Sequence, residues 1–214
     1  MVITVFGATG RTGGRIVSQL LDAGHQVRAV VRGPDRITAV ERSGAQGVLG
    51  DLTGDPEQLA LAVSGSDVVI NAAGVSKPTS SDLLRVDRDG AIAAARAARA
   101  QGVPRFIQVS AMPANRPQEA PTGFRAYLRA KNDSDTALAE SGLLWTVIRP
   151  GGLTNGKGTG RVRVGAALDD GSISRDDLAS VVVACLDQPL TGNRAFDVVS
   201  GARPITEALA APEG

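Results

Sequence analysis

The chain has 214 residues, 43% hydrophobic and 21% charged, with a formal net charge of +1 at pH 7. This composition suits one domain with apolar side chains enough for a core on both faces of a sheet. It excludes the basic footprint of a nucleic-acid binder and a polybasic membrane patch, and its apolar runs are too short to span a bilayer.

Residues 2–6 form an apolar β-type run that stops at Gly7, turns through Gly10 and Gly13, and passes into Arg15-Ile-Val-Ser-Gln-Leu-Leu, whose spacing is helical. A strand, a glycine turn and a helix in that order build an anion site, because turn N–H groups and the positive helix end face one point. Glycine accepts positive φ and lets a pyrophosphate approach the main chain without a Cβ in the way. Gly7, Thr9, Gly10, Arg11, Thr12 and Gly13 are therefore the candidate phosphate-side residues. Their spacing is G-x-x-G-x-x-G rather than G-x-G-x-x-G.

Further strands are expected at 27–31, 47–49, 67–70, 105–109 and 144–148, alternating with helices near 14–23, 34–43, 55–64, 80–101 and 122–141. The alternation predicts an α/β fold, a doubly wound parallel sheet with helices on both faces. Strands buried on both sides explain unbroken apolar runs such as Val68-Val69-Ile70. Within 80–101, Leu83, Val86, Gly90, Ala94 and Ala97 form one stripe for the sheet, with the arginines outward. Beyond Pro150 the character changes. Residues 151–160 read as a mobile glycine-rich loop, followed by a strand near 161–164 and a helix over 175–187 capped by Ser174. A strand near 195–199 and a short terminal helix complete a single nucleotide-binding domain over 1–214, with 151–214 its small substrate-side portion.

Cys185 is the only cysteine and His25 the only histidine, so no internal disulfide is available and no metal-ligand cluster can form. His25 sits in a helix-to-strand turn and reads as a surface residue. No signal-peptide pattern opens the chain and the glycine turn begins at Gly7, so the expected location is the cytoplasm.

The position nineteen after Gly13, where NAD-selective folds carry an acid for the ribose hydroxyls, is Arg32. A guanidinium there suits a 2′-phosphate, and Arg11 would add a second charge, so the expected cofactor is NADP, reduced as NADPH. The alternative is a solvated loop arginine. Asp51, followed by Leu52 after the third strand, is placed to accept from the adenine amino group. Ala72, Ala73 and Gly74 end the fourth strand with small residues, which lets the cofactor cross the sheet edge.

Tyr127, the only tyrosine, and Lys131 are four apart on the helix at 122–141 and share one face. A phenol with pKa about 10 is a poor acid-base group at neutral pH. A neighbouring ammonium and an oxidised nicotinamide favour phenolate, and a drop of about three units needs about 4 kcal/mol of differential interaction.

Gly7-x-x-Gly10-x-x-Gly13, Asp51, Asn71-Ala-Ala-Gly74, Tyr127-x-x-x-Lys131 and Arg149-Pro150-Gly151 together resemble the short-chain dehydrogenase/reductase superfamily. The glycine spacing is similar to its extended and atypical branches, which include NmrA-like proteins and biliverdin-IXβ/flavin reductases. The likeness runs over 1–151 and more loosely to about 200. It implies a Rossmann fold and a Ser–Tyr–Lys mechanism. Tyr127 would protonate a substrate oxygen, Lys131 would lower the tyrosine pKa and hold the nicotinamide ribose, Ser110 would hydrogen-bond the substrate oxygen, and Pro150 would line the cofactor. Two departures bear on this transfer. Ala111 follows Ser110 where the family often continues with serine, so the serine register stays open. Asp87 stands where the family has a relay asparagine, either ordering water or simply solvated.

The expected activity is hydride transfer from NADPH to a small carbonyl, quinone or flavin-type acceptor. A non-catalytic NADP(H) sensor is the rival reading, and a nucleotide-sugar epimerase or dehydratase a further one that the short C-terminal portion disfavours. No nucleic-acid or membrane partner is expected. A homodimer through the helices at 80–101 and 122–141 follows by family analogy alone.

Overall fold

The computed structural model describes residues 1–75 and 82–213. In chain order the elements are β1 (Val2–Phe6), α1 (Gly13–Asp22), β2 (Gln26–Val31), α2 (Ile37–Glu41), β3 (Gln46–Leu49), α3 (Pro56–Val63) and β4 (Val68–Asn71). Then come α4 (Ala91–Ala100), β5 (Arg105–Val109), α5 (Thr122–Ala139), β6 (Leu144–Pro150), β7 (Gly152–Thr154), β8 (Arg161–Gly165) and β9 (Ser172–Ser174). α6 (Arg175–Ala184), β10 (Arg194–Ser200), β11 (Arg203–Pro204) and α7 (Ile205–Ala210) follow.

Among the described residues, nine strands form one sheet in the order β11-β8-β10-β6-β5-β4-β1-β2-β3. From β3 to β10 the pairings are parallel; at one edge β8 runs antiparallel to both of its neighbours, β10 and β11. The order reverses between β1 and β4, and ligands of such sheets bind outside the carboxyl ends of the strands at that switch. Gly7 follows β1 and Ala72 follows β4, so the predicted phosphate turn lies at the switch.

Alternation along each strand divides the core. Ile3, Val5, Ala29 and Ile107 pack with Ile16 and Leu20 of α1 and Leu178 and Val182 of α6. Phe6, Val69 and Phe106 face the other way, onto Leu59 of α3, Ala94 and Ala98 of α4, and Leu138 of α5. The expected doubly wound parallel sheet is therefore the observed one. The period of two also directs Gln108 and Ser110 to the α5 side, with Phe106.

Three expected elements differ in detail. Residues 34–43 break into a 3₁₀ turn at Pro34–Arg36 and the short α2. The expected helix over 80–101, whose first two positions lie outside the described residues, is a π-helical segment over Leu84–Gly90 that continues into α4. Its last residue must be small: a Cβ on Gly90 would sit 2.8 Å from the Leu52 Cβ. The expected mobile loop at 151–160 is anchored instead. Gly152–Thr154 pairs with Ser172–Ser174, and the Asp177 carboxylate accepts from Gly160 N (2.7 Å) and Thr159 N (3.0 Å). Ser174 caps α6 as expected, accepting from Asp177 N at 2.9 Å. No described helix is long and apolar enough to cross a membrane.

Candidate functional site

The glycine turn is built by close approach. Gly7 has φ +74°, and a Cβ on it would lie 2.6 Å from Ala73 N. A Cβ on Gly13 would overlap the Gly7 carbonyl oxygen, so α1 can begin against β1 only with glycine at both positions. Gly10 N donates to Gly7 O (2.9 Å), closing the turn. Thr12 stands at the helix N-cap without a side-chain cap bond, while Gly14 N donates to Gly10 O (2.8 Å) and Arg15 N to Thr12 O (3.0 Å), so what α1 offers an anion here is chiefly its positive end. Arg11 uses its backbone carbonyl to accept from Arg15 (2.7 Å).

Beside the turn lies a cavity of about 540 Å³. Gly7, Thr9, Gly10, Arg32, Asp51, Leu52, Ala72, Ala73 and Gly74 line it, so the structure brings together most of the predicted cofactor residues. Arg11, Thr12, Gly13, Lys131 and Pro150 lie outside its lining. Val30, Leu52 and Val86 give it apolar walls. Asp51 is shaped for one job: its Oδ1 accepts from Thr53 N and Thr53 Oγ1, both at 2.9 Å, fixing the carboxylate at the cavity wall. Asn71 Oδ1 accepts from Ala73 N (3.1 Å) and turns the chain away from β4. Sequence reasoning missed two lining cations, Arg36 and Arg85. Arg36 follows Arg32 by four in the same loop, a signal that was there to read.

Where the cavity ends, at Gly74, a second cluster begins. A Cβ on Gly74 would meet Asp87 Oδ1 at 2.8 Å and Lys131 Nζ at 3.5 Å. Asp87 is fully buried in the π-helical segment. Its Oδ1 lies 3.0 Å from Lys131 Nζ, and its Oδ2 accepts from Val75 N (3.0 Å). Of the two readings left open for Asp87, solvated residue is excluded. Lys131, also buried, donates to the Val109 carbonyl at 3.4 Å. Burial works against its charge, but attraction from Tyr127 and Asp87 prevails and holds the ammonium above the ordinary lysine range.

Tyr127 lies one turn before Lys131, half-buried and packed, as Ala111 is, against the cluster of Ala114, Ala120 and Leu128. The expected lowering of its pKa does not appear in this arrangement. Burial pushes the phenol up, Lys131 pulls it down, and the Asp87 and Asp135 carboxylates push it up again. The lysine charge is already answered by Asp87, so its pull on the phenol is partly cancelled.

Ser110 also departs from expectation. Its hydroxyl is buried and donates to Asp135 Oδ2 (2.8 Å), which Arg149 Nε approaches at 3.2 Å. Gln108 Nε2 donates to Asp135 Oδ1 (2.9 Å) and Ser134 Oγ (3.0 Å). Strand parity puts Ser110 under the second half of α5, and Ala111, next along the chain, has no hydroxyl to offer. Burial pushes the Asp135 carboxyl up, with Arg149, Gln108 and Ser110 acting against that shift. A glutamine inside the fully buried strand β5 was the signal for this network, since buried amides require partners.

The glycine cradle, the helix end and the Asp51 turn fit a dinucleotide. A family model described as NAD(P)H-binding matches residues 7–189. The chain belongs to that family. YhfK of Bacillus subtilis, an uncharacterized sugar epimerase by name, is 44% identical over 211 residues, 98% of this chain and 99% of its own. A solved structure from Bacillus halodurans, provisionally named an NAD-dependent epimerase/dehydratase, has a TM-score of 0.91 at 33% identity, covering 98% of both chains. The ceramide reductase of Caulobacter vibrioides is 38% identical over 151 residues, 70% of this chain and 45% of its own. The family is consistent with the atypical short-chain dehydrogenases/reductases. Among the described residues no three His, Cys, Asp or Glu side chains converge to hold a metal.

Proposed function

We propose that this family member is an NADPH-dependent reductase of a small carbonyl, quinone or flavin-type acceptor. The observation that carries the reading is the buried Asp87–Lys131 pair, with Tyr127 one turn away, meeting the nucleotide cavity at Gly74. A buried ion pair is expensive to build, and a protein that only needed to bind a dinucleotide would have no use for it beside a lone tyrosine. Reductase chemistry in a relative, the Caulobacter ceramide reductase, supports the same class.

Arg32 and Arg36 on the cavity wall favour a 2′-phosphate, and hence NADPH over NADH. The Gly7–Gly13 turn would hold the diphosphate, Asp51 and Leu52 the adenine, and Lys131 the nicotinamide ribose. When bound, the reduced nicotinamide supplies a hydride. Tyr127, held protonated by burial and by Asp87, would supply the proton to the acceptor oxygen or nitrogen and recover it from solvent. Ser110 is committed to Asp135, which takes its hydroxyl away from the acceptor oxygen. That favours acceptors that spread the incoming charge over a conjugated system.

The same serine observation supports a second reading, a sensor that binds NADP(H) without turnover. An epimerase reading, suggested by the YhfK name, is a further alternative. The test follows NADPH and NADH absorbance against quinones, flavins, aldehydes and ketones, for wild type and Tyr127→Phe. Turnover with NADPH that falls by about 10²–10⁴-fold in the variant, with cofactor affinity kept, is the expected result. Tight NADPH binding with no turnover across the panel would overturn it in favour of the sensor.

A further inference from the structure

Arg175 opens α6 and is only 8% exposed. Arginine is almost never buried without a carboxylate partner, yet among the described residues none lies within ion-pair distance of it. Asp176, the next residue, is turned to Arg15. Asp177 is spent on Ser174, Thr159 and Gly160. Arg175 donates to two neutral oxygens, Asn155 Oδ1 (2.8 Å) and the Leu153 carbonyl (3.3 Å). Burial, then Arg11, then Arg15 depress its pKa; Asp176 answers Arg15, but among the described residues no carboxylate pairs with Arg11 or Arg175.

The surrounding helices add to this field. α1 and α6 run side by side in one direction, with Gln19 donating to the Asp176 carbonyl (3.1 Å) and accepting from Ser180 Oγ (3.0 Å). Their positive ends therefore reach the same sheet edge. Arg175 is absent from the lining of the nucleotide cavity and is tied instead to β7 and Asn155, on the substrate side.

We propose that Arg175, assisted by Arg11, binds an anionic group of the acceptor: a carboxylate, sulfonate or phosphate. The term acceptor rests on the reductase reading; the anion site itself does not. A forked guanidinium fixed by Asn155 would present its remaining N–H groups to such an oxyanion. The acceptor class is thereby narrowed to anionic molecules.

The test is thermal unfolding of the NADPH-saturated protein against inorganic phosphate, with chloride at matched ionic strength as control. Wild type should be stabilised by phosphate with cofactor already bound. Arg175→Gln should weaken the apparent phosphate affinity by about tenfold or more, leaving NADPH affinity within about twofold. Should that variant fail to fold, Arg175→Lys, which keeps the charge but loses the fork, should show weaker phosphate binding with NADPH affinity unchanged. Stabilisation by phosphate only when NADPH is absent, or a tenfold loss of NADPH affinity in either variant, would assign Arg175 to the cofactor's diphosphate and overturn the proposal. No phosphate response at all would overturn it too. None of these outcomes depends on turnover, so the absence of a substrate, which would sink the reductase reading, is recognised separately.

Discussion

At the scale of single residues, Asp87 carries the most unexpected chemistry. In the sequence it is an acid in a helix rich in charges; in the fold it is a fully buried counter-ion to Lys131 that also holds the Val75 amide. It also acts on Tyr127: burial of the phenol raises its pKa most, Lys131 lowers it, and the Asp87 charge raises it again. The sign gives a prediction. With its pKa raised, Tyr127 stays protonated past the ordinary phenol value of about 10, so reduction in wild type should lose rate only above about pH 10. Asp87→Asn removes an upward influence and leaves the lysine's downward pull. The alkaline limb of kcat should then move to lower pH. A pH profile unchanged by the substitution would show that Asp87 does not act on Tyr127.

At the scale of elements, the segment after β6 shows how one carboxylate orders a loop. Residues 155–160 have the composition of a flexible linker, three glycines among six residues. Asp177, in the first turn of α6, gathers Thr159 N, Gly160 N and the Thr159 hydroxyl onto one side chain. Hydrogen bonds to a charged acceptor are worth about 1.5–3 kcal/mol. Asp177→Ala should therefore reduce hydrogen-exchange protection of the Thr159 and Gly160 amides by roughly ten- to a hundredfold. Amides in β1 should stay protected, and unchanged exchange at Gly160 would sink this account. The π-helical segment before α4 is a comparable device. It passes close to Leu52 at Gly90 and carries Asp87 to Lys131, so it joins the nucleotide cavity to the acid-base cluster.

At the scale of the whole molecule, two cores flank the parallel sheet, and the cleft opens where its strand order reverses. Cys185 reports on this assembly. It is fully buried in the α1–α6 core, and burial pushes its thiol up to about 12. Thiolate is the reactive form, so at pH 8 an aromatic disulfide reagent should label Cys185 only through unfolding. A ligand that binds the folded state alone lowers the unfolded population by 1 + [L]/Kd. NADPH at 100 times its Kd should thus slow labelling by about a hundredfold. Rapid labelling of the native protein, indifferent to NADPH, would contradict both the burial and the cofactor linkage.

The division between what was legible and what was not follows sequence distance. The alternation of helices and strands and the glycine turn rest on periodicity and on contiguous residues. Local steric rules decide them, and Val2 to Asp22 behaves as those rules require. Asp51 and the 72–74 turn were readable because strand ends converge in any sheet of this order. The acid-base cluster was only half legible. That Tyr127 and Lys131 share a helix face is a matter of spacing. That Lys131 is answered by Asp87, that Ser110 faces Asp135, and that Arg175 is buried with no carboxylate partner among the described residues are matters of how remote elements meet. The sequence alone determined a nucleotide-binding α/β sheet, since hydrophobic period and glycine sterics act over a few residues. Only the tertiary structure decided which charges meet, because desolvation and Coulomb attraction depend on distances set by packing.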